Sequence, residues 1–259
     1  MNLFSQRRFK FVLIALFALV LLNGCGSQPI EDETENLPVE SLLELGKAAL
    51  ENNRYEEAIL IYKKLESRFP YGKPAEQSQL DLAYAYYKNA DPELAVAATD
   101  RFIRLHPTHE RVDYAHYLKG LATYKEKSGW IGRVTGTADL SNRDTRPARE
   151  AYHTYRELIT RFPDSPYADD AKLRMLHMVN VLAKHDIGVA RYYLSRGAFV
   201  AVVNRAKKVI EEFEQAPAVE DALGLMGVAY REMGMESLQA DTRRVLEINF
   251  PDSRYLNRF

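Results

Sequence analysis

Pairs of short helices that recur along the chain limit most strongly how this sequence can fold. From Pro38 onward, apolar residues return at three- and four-residue spacing, and no alternating strand pattern interrupts them. The first pair shows a regular order of small, large and helix-ending residues: Gly46, Ala49, Ala58, Tyr62, Leu65 and Pro70. Small residues let two antiparallel helices approach closely, large residues fill the groove beside them, and proline ends the second helix. The pattern predicts an all-α array of helical hairpins.

The spacing within each pair is that of the tetratricopeptide repeat. A second unit repeats the order at Leu82, Ala83, Tyr86, Ala95, Phe102 and Pro107, with a weak match at Thr99. We therefore predict a right-handed all-α tetratricopeptide-repeat solenoid of about five helix pairs, with an unrelated helical array as the alternative. Repeats 1 and 2 are expected in residues 38–110, repeat 3 in 111–165 and repeats 4 and 5 in 166–259.

Two places depart from the regular pattern. In repeat 3, Gly120 and Ala151 are farther apart than the repeat requires, which predicts an insert within residues 126–146. That insert holds Trp130, a lone tryptophan that either contacts a partner or folds back on the solenoid. The helix before repeat 4 is long, and the pattern leaves open whether it breaks at residues 185–186.

The N-terminus has the pattern of an export signal that ends at the only cysteine. Cations within residues 7–10 precede an uncharged apolar run, Phe11–Leu22, which is too short to span a bilayer. The end of this run, Leu22-Asn23-Gly24-Cys25, resembles the bacterial lipobox. That resemblance implies cleavage of the signal peptide, residues 1–24, and lipidation of Cys25. The alternative is an ordinary signal peptide with a chance cysteine.

The residues after the cysteine predict where the mature protein works. Because Gly26 follows Cys25 where an aspartate would favour inner-membrane retention, the lipobox resemblance implies anchoring in the outer membrane, on its periplasmic face. Residues 25–37 are acidic and turn-rich, which predicts a flexible tether. Removal of the signal's three cations lowers the formal net charge from −1 to −4, which disfavours nucleic acid as a partner.

Repeat positions also predict a binding surface. In solenoids of this kind, certain positions of each first helix line an exposed groove that binds extended segments or other domains. In repeat 1 these positions hold Glu40, Leu43, Lys47, Leu50 and Glu51, and in repeat 2 they hold Gln77, Leu80, Tyr84, Tyr87 and Lys88. The candidates for binding a ligand are Lys47, Gln77, Tyr84, Tyr87 and Lys88. Aromatic side chains with adjacent cations suit an extended peptide that ends in an aromatic residue or a carboxylate. The alternative is that the tyrosines only pack against neighbouring helices.

Sequence motifs for catalysis are weak. His106 and His109 have a loose metal-like spacing, but they lie at a helix end with no cysteine nearby in sequence. There is no phosphate-binding glycine motif and no nucleophile motif, so we expect no enzyme activity, no cofactor and no metal. The segment Ala198–Val203 is apolar on all sides, which requires cover from neighbouring helices or from a partner.

Three longer strings resemble the BamD family of outer-membrane protein assembly factors. They are Gln79–Asp91, Asp100–His109 and Arg196–Arg205, and the resemblance covers essentially the whole mature chain. It implies a five-repeat periplasmic lipoprotein of the β-barrel assembly (Bam) complex, acting as a scaffold and client receptor. Another periplasmic repeat lipoprotein, such as a pilotin or a cell-wall synthesis coordinator, is the alternative, and a periplasmic hydrolase is a more remote one.

The same resemblance assigns partners to the two halves of the solenoid. It implies that the N-terminal repeats recognise the C-terminal signal of unfolded β-barrel outer-membrane proteins, so Tyr84, Tyr87 and Lys88 fall in the client-binding half. It implies that the C-terminal repeats dock BamA, so Arg205 becomes a candidate docking residue, and that other Bam lipoproteins bind along the chain. By its repeat position, Arg205 is expected to point away from the packing seam, with a solvated arginine as the alternative.

Overall fold

Ten α-helices follow one another in the part of the chain that the computed structural model describes, namely Thr34, residues 36–124 and residues 144–258. They are α1 (Val39–Glu51), α2 (Tyr55–Arg68), α3 (Lys73–Lys88), α4 (Pro92–Leu105), α5 (Val112–Thr123), α6 (Arg146–Arg161), α7 (Ala168–Ser195), α8 (Phe199–Glu212), α9 (Ala218–Glu232) and α10 (Glu236–Asn249). Each helix packs against the next, and α3 also contacts the first helices of the neighbouring pairs, α1 and α5. The predicted all-α fold of about five helix pairs is confirmed.

The turns within four of the pairs have the same geometry. In each, a backbone N–H closes onto the carbonyl five residues earlier: Arg54 to Ala49, Asp91 to Tyr86, Ala198 to Tyr193, and Met235 to Tyr230. The residue before each donor has a positive φ: Asn53 (58°), Ala90 (66°), Gly197 (69°) and Gly234 (69°). This is the Schellman ending of a helix, which places one residue in the left-handed region where glycine is least strained.

Glycine and tyrosine hold the helix pairs together at close range. Gly46 in α1 lies against the ring of the fully buried Tyr62 in α2, and Gly120 in α5 lies against Tyr155 in α6 in the same way. A methyl group at Gly46 would come within 2.6 Å of the Tyr62 ring. The small residues of the repeat pattern are therefore required by the tyrosines that fill the space beside them.

The last pair has a glycine–tyrosine contact at a different position of the repeat. Ala240, which comes closest to the expected small position in α10, is exposed, and Thr242 and Leu246 are buried instead. Gly224 of α9 packs against Tyr255, which follows α10 and leads into a short 3-10 helix, Leu256–Arg258. The tail after α10 thus covers the end of the solenoid.

Two open questions from the sequence are answered by α7 and α8. Helix α7 runs without a break through His185 and Asp186. In α8, Val202 is fully buried, but Val200 is 65% exposed, so the chain covers this apolar segment on all sides except one.

Candidate peptide-binding groove

A hydrogen-bonded chain of polar side chains lies across the first helices of repeats 2 and 3. The Gln77 side-chain amide donates to the Asp81 carboxylate at 2.7 Å, and the Arg111 guanidinium donates to the Gln77 carbonyl oxygen at 2.9 Å. Burial raises the pKa of Asp81, while Gln77, Arg111 and Lys47 of α1 oppose that rise. The structure therefore places the predicted residue Gln77 in contact with Asp81, while the predicted residue Lys47 acts on the same carboxylate from more than 4.0 Å away.

The other predicted residues lie one to three turns further along α3. The Lys88 ammonium lies 5.9 Å from the centre of the Tyr84 ring and 5.6 Å from that of Tyr55. The neighbouring Tyr84 and Tyr55 hydroxyls raise the pKa of Lys88, which keeps the exposed amine protonated. Tyr84 and Tyr87 are each partly exposed, whereas Tyr86 between them is 7% exposed and packs in the core. This leaves the Tyr84 and Tyr87 rings available to a ligand.

Tyr87 also lines a pocket of about 160 Å³ that extends the surface toward α7. The other lining residues are Leu121, Tyr124, Tyr155, Arg174, His177 and Met178. A pocket lined mainly by aromatic and aliphatic side chains, with one cation, suits an aromatic ring.

Three cations on this surface lack a close carboxylate. Within the described parts of the chain, no carboxylate oxygen lies within 4.0 Å of a side-chain nitrogen of Lys47, Lys88 or Arg111. We call these three cations together with Gln77 and Tyr84 the cationic groove. Cations that are already oriented but not neutralised can accept an anionic ligand without first breaking an ion pair.

Sequence reasoning missed two residues here and misplaced a third. Arg111, which precedes α5, stacks over the Tyr114 ring at 5.0 Å, and neither was a candidate because only repeats 1 and 2 were searched for groove positions. Extending the same positions to α5 could have pointed to this region. Leu80, expected in the groove, is instead fully buried against Phe102 and Ala115, because its side of α3 faces α4 and α5.

Arg205 lies on a second surface and is held by an acid. Its guanidinium donates to Asp186 at 2.8 Å, and Lys208 donates to the other oxygen of the same carboxylate at 2.8 Å. Asp186 is 3% exposed, whereas the Arg205 side chain is 39% exposed. We call these three residues the Asp186 cluster. Arg205 is therefore neither fully solvated nor free, and part of its side chain remains accessible.

The remaining predicted features fall outside the described residues. These are Cys25 with its signal peptide, most of the tether, and nearly all of the insert, including Trp130. Among the helices that are described, none is both long and apolar enough to cross a bilayer.

Comparison with known proteins gives matches over nearly the whole chain. A family model described as YfiO, outer membrane lipoprotein, matches residues 35–246. The outer membrane protein assembly factor BamD of Neisseria meningitidis serogroup A is 42% identical over 251 residues, which cover 95% of this chain and 94% of that protein. The protein of the same name from Vibrio cholerae is 35% identical over 237 residues, covering 92% and 97%. That from Xylella fastidiosa is 35% identical over 253 residues, covering 98% and 85%.

Proposed function

This chain belongs to the YfiO family of outer membrane lipoproteins, and we propose that it serves in outer membrane protein assembly as a non-enzymatic scaffold and client receptor. Its relatives carry the name of an assembly factor, and the groove offers binding groups but no reactive pair. In this role the protein captures unfolded β-barrel clients and presents them to BamA and the other Bam lipoproteins.

The cationic groove is the part that receives the client. An extended peptide places its C-terminal carboxylate on Arg111 and Lys47, and its aromatic side chains on the Tyr84 ring and in the pocket beside Tyr87. The observation that carries this proposal is the set of three cations for which no described residue offers a carboxylate within 4.0 Å, next to partly exposed tyrosines. Guanidinium groups bind carboxylates through paired donors, and aromatic rings contribute at the same place.

Peptide binding tests this role directly. Fluorescence anisotropy with a labelled peptide that ends in Phe compares the free C-terminal acid with its amide. We expect the free acid to bind more tightly than the amide. Arg111→Gln is expected to lower the affinity for the acid by about tenfold and to change the affinity for the amide little, because a charged hydrogen bond is removed.

Arg104→Gln is the matched control, since Arg104 is an exposed arginine on α4, the second helix of repeat 2. The role in client capture is contradicted if the acid and the amide bind equally, or if Arg104→Gln weakens binding as much as Arg111→Gln does.

BamA docking is assigned to the surface around Arg205. Support comes from the accessible part of the Arg205 side chain and from the exposed Val200 on the same helix. Arg205→Gln removes the charge while Lys208 still neutralises Asp186, so the fold is expected to persist. Gentle detergent pull-down from the native membrane is expected to lose BamA with this variant and to keep it with Lys207→Gln, a neighbouring exposed lysine.

The lipid anchor completes the proposal. Acylation of Cys25 would hold the protein on the periplasmic face of the outer membrane, with residues 25–37 as the spacer. Mass spectrometry of the mature N-terminus and membrane fractionation of Cys25→Ser test this part. An unmodified cysteine, or an unchanged membrane fraction in Cys25→Ser, would contradict it.

A further inference from the structure

The turn that leads into α5 contains a histidine tied to the backbone of Arg111. The backbone N–H of Arg111 donates to Nδ1 of His109 at 3.0 Å. Arg111 is also the N-cap residue of α5, where backbone N–H groups have no partner within the helix. An imidazole nitrogen accepts a hydrogen bond only when it carries no proton, so this contact requires His109 to be neutral with its proton on Nε2.

The opposite edge of the imidazole faces an acid. Nε2 of His109 lies 3.6 Å from one oxygen of Glu76, and Nδ1 of His106 lies 4.0 Å from the other. Nε2 of His106 forms a hydrogen bond of 3.2 Å with the Gln79 side-chain oxygen. The rings of His106 and His109 also pack on Phe102, with ring-centre distances of 5.0 and 5.2 Å. Both histidines are therefore confined between α3 and α4.

His109 is nevertheless reachable by protons from solvent. It lines an open pocket of about 510 Å³ together with the charged residues Lys73, Glu76 and Glu110 and the uncharged residues Leu43, Pro74 and Gln77. In the lining of this pocket, the side-chain oxygen of Gln77 accepts a hydrogen bond from the Arg111 guanidinium. The pocket and the cationic groove therefore share Gln77. The groups that face His109 are thus Glu76 and Lys73 from α3, His106 and Glu110 from its own turn, and Arg111 from the start of α5.

We propose that His109 is a positioning residue for Arg111, and that its protonation weakens carboxylate binding in the cationic groove. This inference rests on the client-binding role proposed above. A second proton on His109 replaces the acceptor Nδ1 with an N–H group that opposes the Arg111 N–H. The imidazolium gains an ion pair with Glu76, but it no longer accepts the hydrogen bond from the backbone N–H of Arg111.

The sign of this effect separates positioning from simple electrostatics. Added positive charge near a cationic groove would strengthen anion binding as the pH falls. Partial loss of the Asp81 charge, whose pKa burial raises, would act in the same direction because Asp81 competes for the same cations. Loss of the hydrogen bond that positions Arg111 would instead weaken anion binding as the pH falls. The C-terminal carboxylate of a peptide stays ionised above about pH 5, so a change of affinity in that range does not come from the ligand.

The test compares two substitutions at one position over a pH range. Asn at position 109 can place its side-chain oxygen where Nδ1 accepts, but it does not titrate, whereas Ala removes the acceptor at every pH. For the full-length protein and the free-acid peptide, we expect binding to weaken roughly fivefold from about pH 7.5 to about pH 5.5, the loss of one ordinary hydrogen bond. His109→Asn is expected to bind tightly at both values, and His109→Ala weakly at both.

His106→Asn is the matched control, because His106 also faces Glu76 but makes no contact with Arg111. It is expected to keep the pH dependence of the wild type. A wild-type affinity that is flat or rises toward low pH, or a His109→Asn variant that keeps the wild-type pH profile, would overturn the inference.

A spectroscopic reading separates this inference from the groove proposal. The Arg111 amide ¹H–¹⁵N NMR signal should shift as His109 titrates and stay constant in His109→Asn. If the peptide does not bind at any pH, the client-binding role fails. An Arg111 amide signal that does not titrate would overturn the positioning role itself, whatever the peptide does.

Discussion

The two halves of the solenoid both carry accessible arginine and lysine side chains, but they neutralise them differently. In the cationic groove, Arg111 is oriented by the neutral side chain of Gln77 and by stacking on Tyr114. In the Asp186 cluster, Arg205 and Lys208 bind a single acid that is 3% exposed. The first arrangement leaves charge for a ligand, whereas the second uses most of that charge to compensate a buried carboxylate.

This difference changes how substitutions should be read. A buried charge left without a partner is strongly destabilising, so a substitution that adds an acid beside Asp186, or removes both of its cations, alters the fold before it alters an interface. A substitution at Arg111 removes a hydrogen bond to the half-buried Gln77 amide and a cation that lies more than 4.0 Å from Asp81, and is expected to alter the fold less. A charge reversal can therefore report on binding at Arg111 and on stability at Arg205.

The largest expected effect comes from reversing the charge in both halves. Arg205→Glu places a second carboxylate beside Asp186 and is expected to lower the free energy of unfolding by about 2–4 kcal/mol. Arg111→Glu is expected to cost less than about 1 kcal/mol. Urea unfolding followed by circular dichroism measures both, and equal losses would remove the distinction between the two halves.

Glycine substitutions at the two ends of the solenoid come next. Gly46→Ala drives a methyl group into Tyr62, which is fully buried between helices, and is expected to cost about 2 kcal/mol. Gly224→Ala would drive a methyl group into the ring of Tyr255, which is 3% exposed and donates a hydrogen bond to Asp221, so its cost is expected to be at least as large. Thermal unfolding of both variants checks this, and a clearly smaller loss for Gly224→Ala would show that the tail after α10 moves aside more easily than α2.

The pH dependence of stability should differ between two aspartates. Burial alone would raise the pKa of Asp221, but hydrogen bonds from Tyr255 and Arg254 and the nearby Arg191 lower it overall. Its ionised form therefore stabilises the fold above the unfolded-state pKa, and this contribution is lost as the pH falls through the lower folded-state value. For Asp81 the folded-state pKa is raised, so its protonated form is favoured and its contribution is lost as the pH rises.

Asn substitutions at the two aspartates test these opposite signs. Asp221→Asn is expected to lose about 1 kcal/mol at neutral pH, and to approach the wild type at acidic pH. Asp81→Asn is expected to be as stable as the wild type or more stable at neutral pH. The free energy of unfolding measured across the acidic range would contradict this account if both variants changed in parallel.

The smallest effect concerns the turns within pairs. Ala90 has a φ of 66° where Gly197 in the equivalent turn has 69°. Ala90→Gly is expected to be neutral or to stabilise by up to about 0.5 kcal/mol, because relief of left-handed strain exceeds the added chain entropy. Gly197→Ala is expected to destabilise by about 1 kcal/mol. Differential scanning calorimetry of the pair would show opposite shifts in Tm, and shifts of the same sign would refute the strain argument.

Much of the fold could be predicted because its repeat is local. Gly46 and Tyr62 lie within one helical hairpin, so their spacing in sequence already places them in contact. The prediction was less complete where this spacing changes. In the last pair, Ala240 is exposed, and the tyrosine that packs on Gly224 comes from beyond α10.

The sequence by itself determined the helix pairs, their number and the family to which the chain belongs, since each depends on residue types at short, regular spacing. Only the tertiary structure decided which charges meet. Arg111 reaches Gln77, Asp186 takes both Arg205 and Lys208, and Leu80 turns into the core. These outcomes depend on how successive helices rotate and stack against one another, because a shift of one position on a helix moves a side chain by about 100° around its axis.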